Sequence, residues 1–65
     1  MKRRELTRHL KAHGCPVTRE GVSHTIYGNP ATGRREPVPR HNEIPGLLVR
    51  KICCALNIPE PGQGE

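Results

Sequence analysis

The chain has 65 residues, a formal net charge of +5, one Tyr, and no Phe, Trp or Asp. This length permits one small domain with a thin aliphatic core, and no apolar run approaches the roughly 18 residues of a membrane span. Six scattered Glu without an acidic motif argue against two-metal phosphodiesterases and paired-carboxylate hydrolases. The sequence after residues 1–4 is polar, which predicts that there is no signal peptide and that the protein is cytoplasmic.

Residues 3–13 are predicted to form an amphipathic helix. Leu6 and Leu10 lie four residues apart on its apolar side. Three cations share the opposite side and form what we call the basic stripe: Arg4, Arg8 and Lys11. Gly14 stands where the end of a helix favours a left-handed residue.

Three strands are predicted next, at residues 15–20, 22–27 and 34–39. The second is β-branched and alternating, and the turn residues at 28–33 predict a hairpin with the third. By strict alternation His24 shares a face with Val22 and Ile26, which favours a position at the margin of the core. Pro37 and Pro39 place the third strand at the edge of the sheet.

A second helix is predicted to start near Pro45 and to end at Asn57. Five residues form its core-facing side: Leu48, Val49, Ile52, Ala55 and Leu56. Cys53 lies at the margin of this side, and four residues take the other side: Leu47, Arg50, Lys51 and Cys54. We expect one domain at residues 1–59 and a disordered tail at residues 60–65.

The predicted order is therefore α-β-β-β-α. Three antiparallel strands with both helices on one face form a two-layer α+β sandwich. The cysteines fit neither a disulfide scaffold nor the ligand spacing of zinc sites, although a site from His13, Cys15 and the 53–54 pair can be imagined. Reduced cysteines that pack as small hydrophobes are the favoured interpretation, with no metal and no cofactor.

The distribution of charge points to a polyanionic partner. Residues 1–40 contain nine Lys and Arg against three Glu, whereas residues 41–65 contain two against three. RNA carries its own nucleophile, the 2′-hydroxyl, so its cleavage needs a base near neutrality and cations but no metal. His24 is a candidate base, although a histidine within a strand is more often structural. A single Tyr argues against modules that hold RNA by base stacking.

Three segments of the chain together form a specific pattern. The first is MKRREL, which opens a helix that ends at Gly14. The second is REGVSHTIY at residues 19–27, followed by NP and TGR. The third is VPRHNEI at residues 38–44, which runs into a helix that ends in NIP at residues 57–59. Over residues 1–59 this pattern resembles the HicA toxin family, the short mRNA interferases of bacterial type II toxin–antitoxin pairs.

The resemblance implies a fold like that of double-stranded RNA-binding domains, ribosome-independent cleavage of mRNA, and a HicB-type antitoxin that covers the active surface. It implies no membrane partner and no direct DNA binding, which in this family comes from the antitoxin. The family's catalytic histidine falls on His24. The family commonly places a glycine close before that histidine, whereas here Val22 and Ser23 stand between Gly21 and His24.

RNA binding is assigned to seven cations and one hydroxyl: Arg4, Arg8, Lys11, Arg19, Arg34, Arg35, Arg40 and Ser23. A non-catalytic RNA-binding domain or inactive toxin homologue remains an alternative, as does a protein-binding subunit with an acidic partner. We expect the outward-facing Leu47 and the basic stripe to lie in or beside the antitoxin interface, because covering Leu47 stabilises so small a domain.

Overall fold

Two helices flank three strands in the order that the sequence predicts. The computed structural model describes residues 1–61, so residues 62–65 of the predicted tail lie outside the described residues. Five elements make up the fold: α1 (Arg3–Ala12), β1 (Val17–Glu20), β2 (His24–Asn29), β3 (Arg34–Pro39) and α2 (Gly46–Ala55). Among these residues, no helix has the length and apolarity needed to cross a bilayer.

A residue with left-handed backbone follows each helix, as predicted for Gly14. Gly14 has φ +79° after α1, and Asn57 has φ 59° after α2. The next residue in each case closes the end of the helix through a backbone hydrogen bond: Cys15 N–H to Leu10 O (2.8 Å) and Ile58 N–H to Cys53 O (3.0 Å). This is the Schellman arrangement, which satisfies carbonyl groups that the end of a helix leaves unpaired.

The three strands form one antiparallel sheet in the order β1-β2-β3. β3 lies at an edge, which confirms the position predicted from its two prolines. The predicted bounds of the second strand are wrong: it starts two residues later, at His24, and Gly28 lies inside it, paired with Arg35. The reason is a tight turn in which Gly21 N–H donates to His24 O (2.8 Å), which removes Val22 and Ser23 from the strand.

The core-facing side of β2 is also opposite to the one predicted. Tyr27 is 5% exposed, whereas His24 is exposed on the outer face, away from the helices. The sequence was misleading because Val22 and Ile26 together resemble a buried face. Val22 lies outside the strand. The apolar surface that the helices cover therefore comes from Tyr27 and from Val38, which pairs with Thr25.

One cluster of buried side chains joins the sheet to both helices. Its members are Leu6, Leu10, Cys15, Tyr27, Val38, Ile44, Val49, Ile52, Cys53 and Leu56. Both helices therefore pack on the same face of the sheet, as predicted. Cys53 is fully buried rather than marginal, and burial raises the pKa of its thiol to about 11. Leu48 and Ala55, predicted for the core, are only half-buried.

The start of the chain pairs with the segment that follows β3. Arg3 N–H donates to Asn42 O (2.9 Å), and Ile44 N–H donates to Met1 O (2.7 Å). His24 pairs with Pro39 at the end of β3, so the turn at residues 21–24 lies at the same end of the molecule. We call this the His24 end. The β2–β3 hairpin lies at the opposite end of the sheet.

Candidate nucleic-acid interface

His24 is the first residue of β2 and lies on the outer face of the sheet. Its carbonyl oxygen accepts hydrogen bonds from Gly21 N–H (2.8 Å) and from Arg40 Nη2 (3.2 Å). Within residues 1–61, no group forms a hydrogen bond with its imidazole. The backbone of His24 is thus held, while its side chain is open to a ligand.

Two arginines share the outer face with His24. Arg19 pairs with Ile26, two residues along β2 from His24, and Arg35 pairs with Gly28, four residues along. At about 3.3 Å per residue, these positions lie about 7 and 13 Å from His24 along the strand. Arg19 is therefore the nearer of these two arginines to His24.

A basic cleft of about 390 Å³ lies on the other face, between α1 and the sheet. Nine residues line it: Arg3, Arg4, Thr7 and Lys11 from α1, with Val17, Glu20, Thr25, Tyr27 and Val38 from the sheet. Two members of the basic stripe, Arg4 and Lys11, thus face a cleft, whereas Arg8 is not among its lining residues. Arg3 and Thr7 were not predicted for this surface, although they share this side of α1 with Arg4 by helical spacing.

The cations of the cleft continue to the His24 end. A neighbouring hollow of about 340 Å³ is lined by Lys2, Arg3, Arg4 and Asn42. Arg3 and Arg4 line both the cleft and the hollow, so the positive charge is continuous from one to the other. An anionic chain could follow this surface from the middle of α1 to its start.

Two groups in the cleft have shifted pKa values. Hydrogen bonds from the Thr25 hydroxyl and the Arg40 guanidinium lower the pKa of Glu20. Burial raises the pKa of Tyr27, so its hydroxyl stays protonated. The cleft therefore contains one carboxylate among its cations.

The other predicted binding residues fall into two places. Ser23 is exposed in the turn that precedes His24, and Arg40 lies against that turn. Arg34 pairs with Asn29 at the hairpin, five residues along β2 from His24 and thus about 17 Å away. The predicted set is therefore divided between the two ends and the two faces of the sheet.

Among residues 1–61, no group of three or more His, Cys or Glu side chains is placed to hold a metal ion. His9 instead bonds through Nε2 to Pro59 O (2.7 Å), and its ring lies 4.4 Å from that of His13. His9 thus joins α1 to the segment after α2.

Comparison with known proteins identifies a family. The sequence model of the family described as HicA toxin of bacterial toxin-antitoxin matches residues 3–58, which include all five elements. No curated protein and no solved structure matches the chain significantly. Because the match covers most of the sequence, the chain belongs to the HicA toxin family of bacterial toxin–antitoxin systems.

Proposed function

We propose that this protein is an endoribonuclease that cleaves mRNA in the cytoplasm, with His24 as the general base. The observation that carries the proposal is the exposed imidazole of His24, which no group within residues 1–61 engages, on a face that also bears Arg19 and Arg35. Membership of a toxin family whose members are known as mRNA interferases supports the choice of substrate.

The proposed reaction uses the 2′-hydroxyl of RNA as its nucleophile. His24 takes the hydroxyl proton as the 2′-oxygen attacks the adjacent phosphorus. The bond from phosphorus to the 5′-oxygen breaks, the 5′-oxygen takes a proton from water, and the products are a 2′,3′-cyclic phosphate and a 5′-hydroxyl. Arg19, on the same face of the sheet, stabilises the negative charge that develops on the phosphoryl oxygens.

The sheet suggests how RNA is held. β1 is an edge strand, with Arg19 on its outer face and Glu20 lining the basic cleft on the other. A single-stranded RNA that passes the edge of β1 reaches His24 on the outer face of the sheet and the cations of the cleft on the other face. These contacts involve phosphates rather than bases, because Tyr27 is buried and unable to stack on a base.

The test is cleavage of an RNA oligonucleotide by His24→Ala in the presence of EDTA. Loss of a general base typically costs 10²- to 10⁴-fold, so we expect the rate to fall by about 100-fold or more. His13→Ala is the matched control, because His13 is exposed after α1, outside the proposed path of the RNA. Cleavage by His24→Ala at the wild-type rate would contradict the proposal.

A second substrate tests the nucleophile. An oligonucleotide with one 2′-deoxy nucleotide at the cleavage site keeps every phosphate but lacks the attacking hydroxyl. We expect it to bind with unchanged affinity and to remain intact, while the all-RNA strand yields 2′,3′-cyclic phosphate ends. Cleavage of the 2′-deoxy strand would exclude this mechanism. Binding of RNA without cleavage by the wild type would instead indicate the non-catalytic alternative.

Membership of a toxin–antitoxin family implies an antitoxin partner. We propose a HicB-type antitoxin that contacts Leu47 and the basic stripe. Leu47 is 79% exposed near the start of α2, which follows directly from the His24 end. A partner that covers the active surface and reaches this side chain would bury apolar area that the isolated domain leaves in water.

The partner proposal is tested with the product of the neighbouring reading frame. Leu47→Asp should raise the dissociation constant by about 10-fold or more, as for a residue at the centre of an interface. Ala31→Asp introduces the same charge at an exposed site on the hairpin and should leave affinity unchanged. Equal affinity of both variants by calorimetry would place Leu47 outside the interface.

A further inference from the structure

The guanidinium of Arg40 is the most extensively bonded side chain at the His24 end. It donates five hydrogen bonds to atoms of residues 20–25: Glu20 Oε1 (3.0 Å), Gly21 O (2.6 Å), Val22 O (2.9 Å), His24 O (3.2 Å) and Thr25 Oγ1 (3.1 Å). A guanidinium has five N–H groups. Nε and Nη1 each bond to one acceptor, and the two N–H groups of Nη2 are shared among the other three acceptors. One N–H, on Nη1, therefore remains for a ligand.

The turn that Arg40 contacts has little else to hold it. Val22 is 99% exposed, and Ser23 and His24 are exposed as well, so apolar packing contributes nothing on their side. One backbone bond, from Gly21 N–H to His24 O, closes the turn. A Cβ at Gly21 would lie 2.9 Å from that same oxygen, so the close approach requires glycine.

Three of the five acceptors are carbonyl groups of this turn, and the planar fork of arginine suits them. Nη1 bonds to one carbonyl while Nη2 bonds to two, so a single rigid group fixes their relative directions. Lysine, a point charge on a flexible stem, lacks this fork. The ion pair with Glu20 contributes little by itself, because the Glu20 side chain is 66% exposed.

We propose that Arg40 is a positioning residue, which fixes the backbone of His24 and so directs its imidazole, instead of binding RNA. The inference rests on the proposed function, since it assigns Arg40 a role through the catalytic His24. Arg40 holds the carbonyl groups of His24, Gly21 and Val22. The Cα–Cβ bond of His24 is thereby fixed relative to Arg19 on the same face. Displacement of a catalytic group by about 1 Å can cost about 100-fold in rate.

The first test separates positioning from binding by kinetics on a defined RNA oligonucleotide. Arg40→Gln should lower kcat by about 10- to 100-fold with KM changed less than about twofold, since a misplaced base affects the chemical step. Arg35→Gln, which removes an outer-face cation, should instead raise KM with kcat unchanged. Arg50→Gln, on the outer side of α2, should change neither constant. A raised KM with normal kcat in Arg40→Gln would overturn the proposal.

The second test does not depend on cleavage. NMR order parameters of residues 21–24 should be about 0.85 in the wild type and fall below about 0.6 in Arg40→Gln. Arg40→Lys, which keeps the charge without the fork, should resemble Arg40→Gln, and it replaces that variant if the latter does not fold. Unchanged order parameters would overturn the inference even where His24→Ala is inactive. Loss of order together with full activity of His24→Ala would instead refute only the proposed function.

Discussion

Asn29 joins the β2–β3 hairpin to the end of α2 through one buried amide group. Its Nδ2 donates to Leu56 O (2.7 Å), and its Oδ1 accepts from Ala31 N–H (3.0 Å). Among residues 1–61 it is the buried polar residue, and no buried side-chain nitrogen or oxygen there lacks a partner. Both ends of the amide are therefore necessary, since an unpaired buried group costs more than a hydrogen bond gains.

Replacement of this amide tests its contribution. In Asn29→Asp, one carboxylate oxygen can still accept from Ala31 N–H. The other oxygen has no hydrogen to donate, so the hydrogen bond to the Leu56 carbonyl is lost and two oxygens face each other. We expect the free energy of unfolding in urea to fall by about 1–3 kcal/mol. Asn42→Asp makes the same change at an exposed side chain and should stay within about 0.5 kcal/mol of the wild type. Equal stability of both variants would show that the Leu56 contact is dispensable.

Glu20 gives the fold a pH dependence in the acid range. The Thr25 hydroxyl and the Arg40 guanidinium lower its pKa in the folded protein. A group whose folded pKa is depressed stabilises the fold above its unfolded pKa, and this contribution is lost as pH falls through the folded pKa. In NMR titrations, Arg40→Gln should therefore raise the pKa of Glu20 toward its ordinary value. A Glu20 pKa that stays equally low in that variant would contradict the role of the guanidinium.

At the scale of elements, β1 and β2 approach each other closely at Gly28. A Cβ at this position would lie 2.6 Å from Thr18 Cγ2 and 3.2 Å from Arg35 Cγ. Gly28 is buried inside β2, so nearby backbone has little room to move. The Thr18 hydroxyl bonds to Ile26 O (3.2 Å), which holds its methyl group in place. Glycine is needed here for space rather than for an unusual backbone conformation.

A double-mutant cycle tests this close approach. Gly28→Ala should lower the free energy of unfolding by about 1–3 kcal/mol, the usual cost of overpacking. Thr18→Ser removes the methyl group but keeps the hydroxyl that bonds to Ile26 O. The double variant should recover part of the loss, so that the two effects are not additive. Additive losses in thermal or urea unfolding would mean that Thr18 is not the obstacle.

The elements also show which features are readable from sequence. Both helices, their left-handed end residues and β3 follow from local rules: a 3.6-residue period, Gly14 or Asn57 after a helix, and prolines at an edge. The bounds and buried face of β2 did not follow. Val22 has a side chain typical of strands, yet the turn closed by Gly21 excludes it. A backbone hydrogen bond from Gly21, outside the strand, to His24, its first residue, thus overrode the strand propensity of Val22 itself.

At the scale of the whole molecule, the positive charge surrounds the sheet on two sides. Arg19 and Arg35 lie on the outer face, and Arg3, Arg4 and Lys11 line the basic cleft. Lys51, by contrast, forms an ion pair with Glu36 (2.9 Å) that joins α2 to β3. The cations therefore divide into those available to a polyanion and those that bridge elements.

Salt dependence of RNA binding distinguishes these two groups. Each phosphate contact releases counterions, so Lys11→Gln should reduce the slope of log K against log salt by about 0.7 for a single strand. The measurement uses His24→Ala as background, so that the RNA stays intact. Lys51→Gln is the control and should leave the slope unchanged. An equal slope with and without Lys11 would exclude the cleft from the RNA path.

The sequence by itself determined the family, the order of elements, the ends of the helices and the concentration of charge in residues 1–40. These properties depend on neighbours within a few positions or on the composition of a segment. Only the tertiary structure decided that His24 faces outward and that Arg40 bonds to the turn before it. The reason is distance along the chain: Arg40 meets its acceptors across 15 to 20 positions. No local sequence pattern indicates which carbonyl groups will lie beside one guanidinium in the folded chain.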